Sequence, residues 1–183
     1  YLTMNYGYQA TILRKLGVFV EKGLVYKGKK PVHWCIHCQT ALAEAEVEYD
    51  AHTTPSIYVE FPLATESVSA IGTRVPELNG KNVSVLIWTT TPWTLPANLA
   101  VAFNPELNYA AYLHANGIVI VAESLATSIG EKIGHILKNP LARFKGREME
   151  GLRFRHPIYE RNSEAVLADY VSLEQGTGIV HTA

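Results

Sequence analysis

From residue 83 onward the chain is a run of short apolar stretches cut apart by Gly, Pro and Asn, and this punctuation constrains the fold more than any other feature. Val83–Thr90, Leu99–Phe103, Tyr109–His114 and Gly117–Ala122 predict strands. Further strands are expected at 143–146, 165–170 and 178–182. One longer stretch, Glu123–Ile136, predicts a helix, with Leu125, Ile129, Ile133 and Ile136 on one face. Many short strands separated by turn residues point to a barrel or a sandwich. The regular strand–helix alternation of a doubly wound sheet is missing. The expected fold class is mainly β with flanking helices (α+β).

The preceding residues read differently. Ile12, Leu13, Leu16, Phe19 and Val20 recur at helical spacing, which predicts a helix over 9–22 stopped by Gly23. Val32–Cys35 predicts a short strand running into a turn. Period-two alternation predicts strands at 46–50 and at 57–61, the second bracketed by Pro55 and Pro62. A boundary is expected near residue 50, with 1–50 a connecting segment and 51–183 a mostly β domain. Hydrophobic residues make up 48% and charged residues 18%, enough to bury a core and to exclude disorder for most of the chain.

A net charge of −1 supplies no global attraction for nucleic acid, so any RNA contact must come from local patches. Arg14, Lys15, Lys22, Lys27, Lys29 and Lys30 form one basic region. Arg143, Lys145, Arg147, Arg153 and Arg155 form another, diluted by Glu148 and Glu150. Either can meet phosphates, although a charge run is more often a solvated face. Cys35 and Cys38 are the only cysteines, too few for a disulfide framework. No charged-then-apolar leader is visible, and no apolar run approaches the roughly 18 residues of a membrane span. A cytoplasmic, reducing setting without membrane contact is expected.

Two strings carry most of the chemical information. Trp88-Thr-Thr-Thr-Pro-Trp-Thr-Leu-Pro-Ala-Asn98 follows the continuous apolar run Val83–Ile87. Its two prolines stop the strand and fix the chain direction. The hydroxyls of Thr89, Thr90 and Thr91 therefore sit at a strand end, where they can donate to and accept from a water, a ribose hydroxyl or an ester carbonyl. Such groups position reactants and do not ionise. Three threonines alone would read as an ordinary turn; the whole string is far more specific. The second string is Gly176-Thr-Gly-Ile-Val-His181. Its glycines permit positive φ or close backbone approach. A lone His ending a strand is by itself more often a surface or core residue than a ligand.

Together these strings resemble the editing domain of the isoleucyl-tRNA synthetases, the insertion in the nucleotide-binding fold of that class I family. The resemblance spans essentially the whole chain. It includes Lys30-Pro-Val-His-Trp-Cys-Ile-His-Cys38 and Ala41-Leu-Ala-Glu-Ala-Glu-Val-Glu-Tyr49. Valyl and leucyl relatives carry Arg-Pro after their Thr pair. Thr91-Pro92-Trp93 and His181 point instead to the isoleucyl branch.

The resemblance implies a closed six-stranded barrel in 51–183, with 1–50 joining it to the remainder of a parent synthetase. It implies hydrolysis of valine misattached to the acceptor end of tRNA(Ile), with valyl-adenylate as a second target. A synthetic pocket distinguishes isoleucine from valine by only about 1–3 kcal/mol, a limit for which this pair is itself the standard worked case. A second, smaller pocket must then destroy the valyl product. On this view Thr89, Thr90, Thr91 and Asn98 are the catalytic set, with Asn98 either contacting substrate or bracing the loop. Trp88, Trp93, His181 and Thr182 are substrate-binding, and His181 shuts out isoleucine; Trp88 and Trp93 pack the loop more readily than they stack on a base. No cofactor is implied for editing itself, whereas the parent's synthetic part uses ATP and magnesium. Cys35 and Cys38 offer half of a tetrahedral zinc site, which needs four ligands for closure. In the family, Pro-Gly-His-Gly and an Asp that holds the substrate ammonium follow His-Thr-Ala; this sequence ends at Ala183, so weak hydrolysis is expected of these residues alone. The alternative reading is a non-catalytic tRNA-docking or zinc-binding structural module.

Overall fold

A computed structural model describes residues 1–115 and 117–183 and divides them into two compact units, Tyr1–His52 and Thr53–Ala183. In the first unit α1 spans Tyr6–Glu21. Asn5 caps it, its side chain accepting the Gly7 N–H at 2.9 Å. Gly23 ends it in the left-handed conformation, φ +68°, as expected of a helix stop. No residue of α1 is buried. A short antiparallel hairpin follows, β1 (Trp34–Cys35) with β2 (Thr40–Ala41), turning through Gln39 at φ +51°. The strand expected at 46–50 does not form. Glu44–Glu46 is a 3-10 turn, and the Glu46 carboxylate accepts the Ala43 N–H at 2.7 Å. Within the expected strand, the Glu46 and Val47 N–H groups donate to the Ala43 and Glu44 carbonyls at 2.9 and 3.2 Å, so they are spent on the turn and not on strand pairing.

The second unit contains β3 (Ile57–Pro62), α2 (Val68–Arg74), β4 (Val83–Thr89), β5 (Ala100–Phe103), β6 (Asn108–His114), β7 (Gly117–Ala122), α3 (Ala126–Ile133), β8 (Ala142–Lys145), β9 (Arg153–Arg155), β10 (Asn162–Leu167) and β11 (Ile179–Thr182). Five strands form one sheet in the order β3-β4-β7-β6-β8, and four form a second in the order β11-β5-β10-β9. The pairings β4–β7 and β5–β10 are parallel; the rest are antiparallel.

Strand alternation explains the layering. Val83, Val85, Ile87, Tyr109, Ala111, Ile118 and Ile120 point to one side of the larger sheet. They share a core with Val101, Phe103, Phe154, Ala165 and Ile179 of the smaller sheet. Leu86, Ala110, Tyr112, Val119 and Val121 point the other way, onto Ala126 and Ile129 of α3. The strand β4 is thus covered on both faces, which is why it reads as an unbroken apolar run.

The unit is mixed α+β with open sheets, and among the described residues the closed six-stranded barrel expected from the resemblance does not form. A barrel needs an unbroken ring of ladder hydrogen bonds. Here β3 and β9 approach, but pairing dwindles to one antiparallel bridge, Leu63 to Phe154. Pro62 has no N–H to extend the ladder, and the chain leaves at once into a 3-10 turn at Thr65–Ser67. The larger sheet therefore keeps β3 and β8 as edges, and the smaller keeps β11 and β9.

Candidate functional site

The Thr string leaves the buried end of β4 and folds on its own hydroxyls. Thr89 is buried, and its Oγ1 accepts the Thr91 N–H at 3.1 Å and lies 3.3 Å from Thr91 Oγ1. Pro92–Ala97 then forms a 3-10 segment with Pro96 inside it. Thr94 Oγ1 donates to the Thr91 carbonyl at 2.7 Å. Leu95 is buried and pins the segment to the core. Thr90 is exposed. Trp93 is 62% exposed, too open to be packing the loop.

Strand β11 brings the second string to the same place. Its His181 pairs in register with Val101 of β5, and Thr182 with Ala100. His181 Nε2 lies 3.1 Å from Thr94 Oγ1. The single Thr94 hydroxyl proton is directed at Thr91, so the imidazole Nε2–H is the donor in this contact. His181 Nδ1 then carries a lone pair that is buried and without a hydrogen-bond partner among the described residues. Burial holds the imidazole pKa below its usual value. The string therefore meets His181 through Thr94 rather than through Thr90.

Asn98 closes the string. It is fully buried, its Nδ2 donates to the Ala100 carbonyl at 2.8 Å and to the Thr182 carbonyl at 3.2 Å, and its Oδ1 accepts from Ser163 Oγ. With both amide protons and its carbonyl engaged, Asn98 ties the string to β5, β10 and β11, which is the bracing arrangement.

The Gly string is shaped by missing side chains. Gly176 and Gly178 have φ of +79° and +72°. A Cβ on Gly178 would stand 2.4 Å from the Cβ of Ala122, and one on Gly176 would stand 3.3 Å from the Trp88 ring. The backbone can thus lie against β7, where the Ala122 N–H donates to the Thr177 carbonyl at 2.9 Å. Tyr109 donates its hydroxyl to the Gly178 carbonyl at 2.6 Å, and burial pushes the phenol up to about 12. Half-buried Trp88 therefore stands beside Gly176, where any side chain on that glycine would meet its ring.

Cys35 and Cys38 are free thiols. The Cys38 N–H points at Cys35 Sγ at 3.4 Å, and this backbone donor, with that of His37, lowers the Cys35 pKa. Among the described residues no group of three or more His, Cys, Asp or Glu is placed to hold a metal ion, so the two thiols do not by themselves fit a closed zinc site. Of the second basic region, Arg143 pairs with Glu123 and Arg147 with Glu106, while Lys145 donates to the Glu106 carbonyl. Arg153 and Arg155 stay exposed. No helix among the described residues is long and apolar enough to cross a membrane.

Sequence reading missed Thr94, His156, Arg161 and Ser163. Thr94 had a signal, since a hydroxyl three residues after Thr91, between Pro92 and Pro96, is placed to bond back to a turn carbonyl. His156 is buried, and its Nε2 lies 2.9 Å from the Leu95 carbonyl. A cavity of about 600 Å³ lies beside it, lined by Pro62, Arg155, Ile158, Tyr159 and Arg161. None of the sequence-predicted site residues lines that cavity, so hydrogen-bond geometry and not cavity size locates the candidate site.

Residues 1–172 match the family of class I tRNA synthetases (I, L, M and V). The chain is 50% identical to an isoleucine–tRNA ligase of Geobacter sulfurreducens and 48% identical to one of Syntrophotalea carbinolica, in each case over all 183 residues. It spans only 19% of the length of each. Among solved structures it is similar to GlLeuRS-CP1, with a TM-score of 0.59 and 20% identity over 70% of this chain and 54% of the other. It is also similar to the Plasmodium knowlesi cytosolic leucyl-tRNA synthetase editing domain, with a TM-score of 0.58 and 15% identity over 72% of this chain and 58% of the other.

Proposed function

This chain belongs to the class I tRNA synthetase family of the isoleucine, leucine, methionine and valine enzymes, and on that premise we propose that it is the editing domain of an isoleucine-charging synthetase. Its substrate in this reading is tRNA(Ile) carrying valine, and its reaction is hydrolysis of the aminoacyl ester, with valyl-adenylate a second target. The fold of the leucyl-tRNA synthetase editing domain supports the assignment of the unit Thr53–Ala183.

One observation carries the reading. The hydroxyls of Thr89 and Thr91 lie 3.3 Å apart, and the Thr94 hydroxyl, bonded to the Thr91 carbonyl, links this turn to the His181 imidazole, whose pKa burial lowers. An activated ester needs little beyond a held water, an oriented carbonyl and exclusion of competing poses, so preset hydroxyls suffice where no strong base is present. Thr90, exposed at the rim, is free to meet ribose or water. His181, fixed by Thr94, walls the side-chain space and makes it too short for isoleucine. The reaction itself uses no cofactor. ATP and magnesium belong to the synthetic part of the whole enzyme, and Cys35 with Cys38 would contribute two thiolates to a zinc completed by ligands outside residues 1–183.

The test is deacylation by the full-length synthetase of tRNA(Ile) charged with valine or with isoleucine. We expect the valyl ester to be cleaved at least about tenfold faster, the smallest factor one methylene supports. Equal rates, or survival of the valyl ester, would overturn the reading.

A second reading rests on a separate observation, two free thiols in one turn with the Cys38 N–H 3.4 Å from Cys35 Sγ. The unit Tyr1–His52 then acts as a zinc-dependent structural or tRNA-docking piece. Loss of tRNA affinity on chelation, with hydrolysis of a minimal valyl-adenosine ester unchanged, would separate it from the hydrolytic unit.

A further inference from the structure

Three hydrogen bonds from one hairpin converge on the second half of the Thr string. The hairpin runs from β9 through residues 156–161 into β10. His156 Nε2 reaches the Leu95 carbonyl at 2.9 Å, Arg161 Nη2 donates to the Pro96 carbonyl at 2.6 Å, and Ser163 Oγ donates to Asn98 Oδ1. The segment they grip is a 3-10 helix interrupted by Pro96, whose ring removes one backbone donor. Short 3-10 segments have poor internal hydrogen-bond geometry and take their shape from what surrounds them.

The hairpin is itself preset for this contact. Buried His156 Nδ1 accepts the N–H groups of Ile158 at 3.0 Å and Tyr159 at 3.1 Å. Nδ1 is therefore the acceptor nitrogen, and Nε2 carries the proton aimed at Leu95. The Arg161 guanidinium lies over the Tyr159 ring, 5.5 Å from its centroid, which limits its own freedom. Sequence separations of 61 and 65 residues show that these contacts come from the tertiary fold and not from the turn itself.

We propose that His156 and Arg161 are positioning residues: by holding the Leu95 and Pro96 carbonyls they set where Thr91 and Thr94 stand against His181, and so set the rate of ester hydrolysis without touching the ester. This inference rests on the reading of the Thr string as the hydrolytic site.

Two near-isosteres of histidine separate the roles of its nitrogens. In His156→Asn the amide sits near the ring Nδ1, keeping a hairpin acceptor and losing the reach to Leu95. In His156→Gln the amide nitrogen sits near Nε2 and keeps the donor to Leu95. Each is tested in the full-length synthetase by kcat and KM for deacylation of Val-tRNA(Ile), with the thermal midpoint as a check on folding. We expect His156→Asn to lower kcat by about tenfold to a hundredfold with little change in KM, and His156→Gln to keep most of it. Equal losses, or a larger loss for His156→Gln, would mean that the ring serves only the hairpin's own fold and would overturn the proposal. If either variant fails to fold, Arg161→Met decides, because this side chain is exposed. A kcat about fivefold to tenfold lower supports the clamp, and an unchanged kcat overturns it. A wild-type enzyme that leaves the valyl ester intact sinks the hydrolytic reading and this inference together, whereas an active wild type with indifferent variants sinks the inference alone.

Discussion

The two strings that meet at the candidate site are built on opposite principles. Residues 88–98 are held by side chains they possess: the hydroxyls of Thr89 and Thr94 and the amide of Asn98 each accept or donate at a defined point. Residues 176–182 are held by side chains they lack, because Gly178 could not approach Ala122 with a Cβ. Hydrogen bonds of the first kind stabilise by about 1 kcal/mol each when made, and cost more when one buried partner is left alone. A steric overlap of the second kind has no such soft limit. The glycine-built string should therefore break more sharply than the hydroxyl-built one.

The largest expected effect is on the glycine side. Gly178→Ala combines left-handed strain with a 2.4 Å approach to Ala122, and should cost about 3–5 kcal/mol. Gly134→Ala is the control, since that glycine has φ +68° but open space around it, and should cost only about 1 kcal/mol. Denaturant unfolding of the two variants measures the difference, and equal losses would refute the steric account. The next effect is on the amide. Asn98→Ala strips the Ser163 hydroxyl and the Ala100 and Thr182 carbonyls of their partner, and should cost about 2–3 kcal/mol in the same experiment. A loss matching that of Gly178→Ala would erase the contrast between the strings.

The smallest effect is on pH dependence. Burial lowers the folded-state pKa of His181, so the unfolded chain binds the proton first as pH falls. The contribution is intact above the unfolded value of about 6.5 and is lost as pH falls through it. The thermal midpoint of the wild type should fall more steeply between about pH 7 and 5 than that of His181→Gln. Parallel curves would show that the ring titrates freely and is not held in its uncharged form.

Legibility followed the distance over which each feature is determined. The helix α1 and its Gly23 stop were readable because a cap and a periodic stripe are local. The strands β4 and β7 were readable because burial on both faces writes an unbroken apolar run. Some elements escaped, among them the two-residue strand β2. The strand β9 is only Arg153–Arg155, and its flanking charges masked Phe154, which is fully buried. The helix α2 is Val68–Arg74, too short and too polar to leave a helical stripe. The Thr and Gly strings stood out, and His181 with them, but Thr94, which joins them, and the hairpin groups behind it did not. Nothing near His156 in the sequence indicates that it faces Leu95, because that contact exists only after β10 has paired with β5. Strand punctuation left barrel and sandwich open, the resemblance supplied the closed six-stranded form, and the proline that ends β3 argues against closure.

The parallel pairing of β5 with β10 has a kinetic consequence. Thr94 meets His181 across 87 residues, and Asn98 meets Ser163 across 65. Closing such wide loops must precede any reward from the contacts they make, so a chain of this topology condenses slowly and late in its folding. Helical signal can return early, since α1 needs no distant partner, while the imidazole gains its surroundings only when the last strand docks. Premature arrest of refolding would thus yield a species helical by spectroscopy yet without the hydroxyl–imidazole contact.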